Sequence, residues 1–117
     1  MTDKRWEDIK GLIEERFGFL DLREEKIVVG EDEKGKPVEG VVEIVEFKTP
    51  QGKFKLERTT KPAIIDKKVL SSRRIGAEKN IVYIYSQEEM IKTFKAYRWQ
   101  EEKGEWEEIK PDFLEES

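Results

Sequence analysis

Three short glycine-containing turns constrain the fold of this chain more than any other sequence feature. They separate segments rich in Val, Ile, Phe and Trp, and they lie at Glu33-Lys34-Gly35-Lys36, Pro50-Gln51-Gly52-Lys53 and Glu102-Lys103-Gly104-Glu105. Connections this short join antiparallel neighbours, because a parallel crossover needs a dozen residues or more. The turns therefore predict two consecutive hairpins that form a three-stranded meander, and a further hairpin near the end of the chain.

The meander is predicted to begin near Lys26 and to continue over Val38 to Thr49 and Phe54 to Thr60. Pro62 has no backbone N–H, so we expect it to end the third strand or to place it at an edge. Residues 63–79 carry only scattered apolar side chains, and we interpret them as a linker.

The segment from Asp3 to Phe17 has the pattern of an amphipathic helix. Its apolar residues recur at spacings of three and four and are Trp6, Ile9, Ile13 and Phe17. Thr2 or Asp3 can cap the start of the helix, and Gly18 suits the position after the C-terminal cap.

The second half of the chain returns to strand patterns. Asn80 to Tyr85 reads Asn-Ile-Val-Tyr-Ile-Tyr and predicts a strand, and Thr93 to Glu101 predicts another, followed by a last hairpin through Trp106 to Ile109. Between the first two, Ser86-Gln87-Glu88-Glu89 matches a capping box and predicts a short helix through Lys92. The predicted fold class is therefore α+β.

In this predicted fold, the N-terminal amphipathic helix packs on a mostly antiparallel, curved sheet of five to six strands, with one short additional helix. Residues 1–110 are expected to form a single domain, and residues 111–117 a C-terminal tail.

The composition excludes several structural and functional classes of protein. Charged residues make up 43% of the chain, but 12 aromatic residues and the strand patterns indicate a folded domain rather than a disordered one. Cys and His are both absent, which excludes thiol nucleophiles, Ser-His-Asp triads, disulfides and Cys/His zinc sites. We expect no catalytic residues, no metal and no cofactor. No apolar run approaches the ~20 residues that cross a bilayer, and we expect a cytoplasmic protein without membrane partners.

An aromatic face is the first candidate binding surface. On Ile81 to Tyr85 both strand faces are apolar, and one helix can cover only one side of a sheet. If the two strands of this region are neighbours, a single patch forms from Tyr83, Tyr85, Tyr97, Trp99 and Trp106. Such a patch is core, a homodimer or protein-partner interface, or a ligand pocket.

A basic segment is the second candidate. Residues 47–80 hold ten basic and three acidic residues, a local charge of +7, whereas residues 1–46 carry −6 and residues 81–117 carry −5. These charges either pair across strands with Glu39, Glu43 and Glu46, or form a face that binds nucleic-acid phosphates. The residues of the phosphate-binding hypothesis are Lys53, Lys55, Arg58, Arg73 and Arg74. The sequence pI of about 5.1 favours the first interpretation.

Glu46-Phe47-Lys48 resembles the Glu-x-Lys half of the signature of the PD-(D/E)xK nucleases. The resemblance implies an Mg²⁺ site that uses Glu46, with Lys48 acting on the same phosphate. The preceding acid would be Asp32 or, as the second choice, Asp21. In those nucleases a helix follows this strand, whereas here a turn at 50–52 leads to another strand. In the predicted hairpin Asp32 lies at the turn end, and Glu46 lies about 26 Å along the strand from Val38. We therefore predict no Mg²⁺-dependent cleavage of DNA or RNA.

Together these features predict a small non-enzymatic module for binding or self-association, with nucleic-acid binding through residues 53–74 as an alternative and a Mg²⁺ nuclease as a weaker one.

Overall fold

The computed structural model describes residues 1–70 and 80–110, which contain one helix and five strands. The elements are α1 (Asp3–Arg16), β1 (Asp21–Glu31), β2 (Pro37–Thr49), β3 (Gly52–Leu70), β4 (Asn80–Gln100) and β5 (Glu105–Ile109). The strands form one antiparallel sheet in the order β1-β2-β3-β4-β5, so each pairs with its neighbours in sequence. The predicted architecture of an N-terminal helix with an antiparallel sheet is confirmed, as are the three turns.

Helix α1 begins and ends where its capping residues predict. The Thr2 hydroxyl accepts a hydrogen bond from the Arg5 N–H (3.1 Å), and Gly18 adopts a φ of +73° that favours glycine. The Gly18 N–H donates to the carbonyls of Ile13 and Glu14, so the last turn of the helix is satisfied. Phe17 is the C-cap residue and is 44% exposed, so the predicted apolar stripe ends one turn earlier than expected.

The first hairpin turn is organised by Asp32. Its carboxylate accepts hydrogen bonds from the N–H groups of Lys34 and Lys36, both at 2.9 Å, and Gly35 has a φ of +81°. These two donors lower the pKa of Asp32 from 3.8, the Lys36 bond having the larger effect. The turn thus uses an Asx-type side chain and a left-handed glycine together.

Three sequence predictions about strand ends are wrong. β1 begins at Asp21 rather than near Lys26. β3 continues through Pro62 to Leu70, so the first part of the predicted linker is strand, and its remaining residues, 71–79, lie outside the described part of the chain. β4 is continuous from Asn80 to Gln100, so the short helix predicted for residues 86–92 is absent.

The physical reason for the missing helix is visible at Ser86. Its hydroxyl accepts hydrogen bonds from the N–H groups of Glu88 (3.1 Å) and Glu89 (2.8 Å). The bond from Glu89 is the one that the serine of a capping box makes. One such turn does not offset the cost of nucleating a helix, and the ladder of the sheet satisfies the flanking backbone instead.

The chain divides into two compact units, and β1 to β4 each contribute residues to both. The helical unit comprises Met1–Glu25, Val42–Thr59 and the chain from Lys92 onward. The strand unit comprises Lys26–Val41 and Thr60–Ile91. The predicted tail at 111–117 lies outside the described residues.

The helical unit holds the main hydrophobic core, where α1 packs on the sheet. The buried core residues are Trp6, Ile9, Ile13, Val45, Phe47, Leu56 and Ala96. Glu43 of β2 orients the helix, because its carboxylate accepts hydrogen bonds from Trp6 Nε1 (3.0 Å) and from Lys10. Burial lowers the pKa of Lys10, but its hydrogen bonds to Glu43 and Glu7 and their charges together outweigh burial, so the pKa is raised.

Glycines permit close approach in the strand unit. A Cβ at position 30 of β1 would overlap the hydroxyl of Tyr85 on β4, and a Cβ at position 40 of β2 would lie 2.9 Å from the Thr60 carbonyl oxygen. β1 and β4 therefore approach each other in this unit, although two strands separate them in the sheet order. Within the described residues, no helix is both long and apolar enough to cross a membrane.

Candidate functional site

The helical unit contains an apolar groove of about 560 Å³ between α1 and the sheet, defined here as the helix groove. Its floor is formed by core residues such as Ile9 and Ile13, and its rim by the exposed side chains of Leu12 and Phe17. The full lining is Arg5, Ile9, Leu12, Ile13, Arg16, Phe17, Phe47, Thr49, Pro50, Gln51, Phe54, Leu56, Ala96 and Ile109.

Three phenylalanines form one wall of the helix groove. The rings of Phe17 and Phe47 stack with centroids 6.0 Å apart at 22°, and those of Phe47 and Phe54 stack at 5.7 Å and 21°. The turn at 50–52 brings Phe47 and Phe54 side by side, and the end of the helix places Phe17 against them. The wall is therefore a flat aromatic surface that continues from the core to the exposed rim.

Two arginines of α1 line the helix side of this groove. Arg5 and Arg16 are eleven residues apart, which corresponds to about 16 Å along an α-helix. Leu12 lies between them and is exposed. Thr49 and Gln51 add polar atoms from the sheet side. The groove thus combines an apolar interior with a few polar groups at its margin, as small-molecule sites do.

The helix groove was not predicted from the sequence. Its only sequence signal is that Leu12 and Phe17 add apolar side chains to the helix beyond those buried in the core. The pairing of that stripe with Phe47, Phe54 and Ile109 depends on strand register and turn position.

The predicted aromatic face divides between the two units. Tyr97, Trp99 and Trp106 lie together in the helical unit, where Trp99 pairs with Trp106 across β4 and β5 and their rings meet edge to face at 5.2 Å. Tyr83 and Tyr85 belong to the strand unit, because the two predicted strands are one continuous strand rather than neighbours. The condition of that prediction, that two separate strands are neighbours, is therefore not met.

Two residues of the predicted basic face join this aromatic cluster. Lys53 Nζ lies 5.6 Å from the Trp99 ring and 5.4 Å from the Trp106 ring, and Lys55 Nζ lies 4.7 Å from Tyr97 and 4.8 Å from Trp106. We call Lys53, Lys55, Tyr97, Trp99 and Trp106 the lysine–aromatic face. Strand alternation places it on the side of the sheet opposite the core residues Phe54 and Leu56.

Acidic residues accompany both lysines of this face. Lys53 Nζ lies 3.7 Å from the Glu46 carboxylate, and Lys55 Nζ lies 3.6 Å from that of Glu57. Burial raises the pKa of Tyr97, with further increases from the charges of Glu57 and Glu108. The positive charge of the two lysines is therefore largely offset within the sheet.

Arg58 has a structural position rather than a place on the lysine–aromatic face. It is only 4% exposed, and it donates hydrogen bonds to the carbonyls of Met1 (3.1 Å) and Thr2 (3.2 Å) and to the Asp3 carboxylate (3.2 Å). Lys92 also donates to Asp3, and this bond, followed by the charges of Lys92 and Arg58, lowers the pKa of Asp3. The guanidinium thus holds the start of α1 against β3. Arg73 and Arg74 lie outside the described residues.

The Glu46-Phe47-Lys48 segment has basic neighbours. The Glu46 carboxylate accepts from Arg23 at 2.7 Å and also faces Lys53, while Lys48 is exposed. The Leu20 N–H donates to the Glu46 carbonyl, so Glu46 lies beside the residues that lead into β1. Asp32 lies in the other unit, at the first hairpin turn. In the described part of the chain, no group of three or more acidic side chains is placed to hold a metal ion.

Comparison of the chain with protein-family models, with curated proteins and with solved structures finds no match.

Proposed function

We propose that the helical unit is a binding module whose helix groove takes an elongated apolar molecule with an acidic group, such as a long-chain carboxylate. The observation that carries this proposal is the apolar groove of about 560 Å³ with arginines on its helix side. This volume lies within the range of about 300–1,000 Å³ that is common for small-molecule sites.

The arrangement of the lining supports an elongated ligand. The span of about 16 Å between Arg5 and Arg16 suits an extended chain that lies along α1, with its acidic end at an arginine. Arg16 makes no ion pair with another described residue and is exposed, so its guanidinium is available to a carboxylate. The stacked rings of Phe17, Phe47 and Phe54 offer apolar contact along the wall.

The apolar interior predicts how affinity depends on chain length. Each buried methylene contributes about 0.8 kcal/mol, so each added methylene should tighten binding about four-fold until the groove is full. The acidic group should add binding affinity that depends on Arg16. The affinity for the matched alcohol should not change when Arg16 is substituted.

The experiment titrates the protein with linear saturated carboxylates of increasing length and with the matched alcohols, using displacement of a fluorescent anilinonaphthalene sulfonate. We expect Arg16→Glu to weaken carboxylates but not alcohols, and Leu12→Asp to weaken both. Lys4→Glu is the matched control, because Lys4 is exposed on the same helix but does not line the groove. Affinity that does not change with chain length, or that survives Leu12→Asp, would contradict the proposal.

A second candidate function is the binding of single-stranded nucleic acid on the lysine–aromatic face. The observation that favours it is the placement of Lys53 and Lys55 within 6 Å of two tryptophans and a tyrosine, since aromatic rings stack on bases and lysines contact phosphates. The ion pairs with Glu46 and Glu57 make this the weaker candidate.

If two phosphates are contacted, the logarithm of affinity should fall with the logarithm of salt concentration with a slope of about −1.4. The double variant Lys53→Glu/Lys55→Glu should abolish binding of a mixed-sequence oligonucleotide, whereas Lys48→Glu should not. Absence of binding by the wild type at low salt would remove this candidate.

A further inference from the structure

The helix groove has one end at the turn between β2 and β3. Phe17, at the end of α1, stacks on Phe47 of β2, and Phe47 stacks on Phe54 of β3 across this turn. Arg16 precedes Phe17 in the chain and also lines the groove, as do residues 49–51 of the turn. The guanidinium of Arg16 and the polar groups of the turn therefore belong to the same end of the groove.

Two hydrogen bonds hold the backbone of Gln51 in this turn. Its N–H donates to the Thr49 hydroxyl (3.0 Å), and its carbonyl accepts from the Arg98 guanidinium (2.9 Å). Alternation along β4 places Arg98 on the same side of the sheet as the core residue Ala96, so it reaches the turn from the groove side. The side-chain amide of Gln51 makes no hydrogen bond to another described residue, and Gln51 is exposed. The turn thus presents an available amide from a fixed backbone position.

The two arginines of the groove differ in what they already contact. Arg5 has an interaction partner within the chain, whereas Arg16 makes no ion pair with another described residue. The C-terminal end of a helix carries about half a negative elementary charge, which disfavours an anion, but the full positive charge of Arg16 exceeds it. Among the described lining residues, the available cation is therefore at the turn end.

We propose that the acidic head group of the ligand binds between the Arg16 guanidinium and the Gln51 side-chain amide, with the apolar chain extending along α1 toward Ile9. A carboxylate has two oxygens that accept hydrogen bonds, and these two side chains supply donors from the helix and from the turn. Arg98 is a positioning residue, because it holds the Gln51 carbonyl and does not line the groove. The inference rests on the proposed function and adds the direction of the ligand and the residues that select its acidic group.

The first experiment repeats the displacement titrations with variants of the full chain at the turn. Gln51→Leu should weaken carboxylates about ten-fold, since it removes a hydrogen bond to a charged group, and should weaken the matched alcohols less. Arg98→Met should weaken carboxylates about three-fold, because the Gln51 amide remains but its backbone is less well held. Arg98→Lys, whose ammonium can still donate to the carbonyl, should retain the affinity of the wild type.

Lys95→Met is the matched control for Arg98→Met. Lys95 is exposed on the same strand and does not line the groove, so its substitution should leave both ligand series unchanged. Circular dichroism confirms that each variant is folded. Carboxylate affinity that rises with chain length and falls in Arg16→Glu, but is unchanged in Gln51→Leu and Arg98→Met, would overturn the inference and leave the proposed function intact. Absence of carboxylate binding by the wild type would contradict both.

The second experiment tests the direction of the ligand by NMR. A saturated carboxylate with a nitroxide at its terminal carbon broadens the backbone N–H signals of residues near that end, and the same ligand with the nitroxide reduced is the reference. We expect stronger broadening at Arg5 and Ile9 than at Gln51, and none at Leu22, which is exposed but does not line the groove. Strongest broadening at Gln51 would show the opposite orientation and would overturn the inference. Equal broadening at all four residues would show non-specific contact and would overturn it as well.

Discussion

Replacement of Arg58 by Met tests whether this residue is a structural anchor of the helix or a phosphate contact. Met keeps an apolar stem of similar length but removes the guanidinium, which is buried and bonded to the first three residues of the chain. The substitution therefore removes three hydrogen bonds without opening a large cavity.

The expected loss of stability follows from the three acceptors. Hydrogen bonds that involve a charged group contribute about 1.5–3 kcal/mol each, but the Asp3 carboxylate is 72% exposed and its share is small. The desolvation cost of the buried arginine is recovered in the variant, which offsets part of the loss. We expect the free energy of unfolding to fall by about 2 kcal/mol, which corresponds to a decrease in Tm of about 8 °C for a chain of this size.

The assay is urea unfolding followed by tryptophan fluorescence, since Trp6 is buried on the helix that Arg58 anchors. Arg98→Met is the matched control, because Arg98 is exposed and makes one hydrogen bond, to the Gln51 carbonyl at 2.9 Å. The control should change stability by less than about 0.5 kcal/mol. Equal stability changes in the two variants would refute the anchoring role. A loss of oligonucleotide binding in Arg58→Met without a loss of stability would restore the phosphate-contact hypothesis.

Three further predictions follow from packing and titration. Gly30→Ala should destabilise the protein by about 1–2 kcal/mol, because the added Cβ would meet the Tyr85 hydroxyl. Adding Tyr85→Phe should recover most of this loss. Thermal unfolding of both variants is the test, and no recovery in the double variant would contradict the contact. Leu56→Ala should cost about 3 kcal/mol in urea unfolding because Leu56 is only 1% exposed in the core, and a cost below about 1 kcal/mol would be inconsistent with that burial. The raised pKa of Tyr97 means that the folded state retains its proton above pH 10.0 while the unfolded chain loses it, so this residue's contribution to stability is complete below that pH and declines above it. Between about pH 9 and about pH 11 the wild type should therefore lose more stability than Tyr97→Phe, and equal losses would contradict the shift.

Local sequence signals determined the elements whose interactions are short in range. The stripe of Trp6, Ile9 and Ile13 and the cap at Thr2 specify the helix, because its hydrogen bonds and periodicity lie within a few residues. Gly35 and Gly104 specify turns, because positive φ values are accessible mainly to glycine. From these turns the antiparallel order of the strands follows directly, since each short connection pairs consecutive strands.

Strand continuity and the meeting of side chains across strands were decided only by the tertiary structure. Ser86 makes the hydrogen bonds of a capping box, yet its segment is strand, because pairing along β4 outweighs one local turn. Arg58 belongs to the basic segment, but the alternation of side chains along β3 places it on the side of the sheet that faces the helix. Lys53 and Lys55 lie on the opposite side of the sheet, next to the tryptophans. A sequence records which residues share a strand face. Which faces meet depends on register, and register is set by contacts between residues that are distant in the chain.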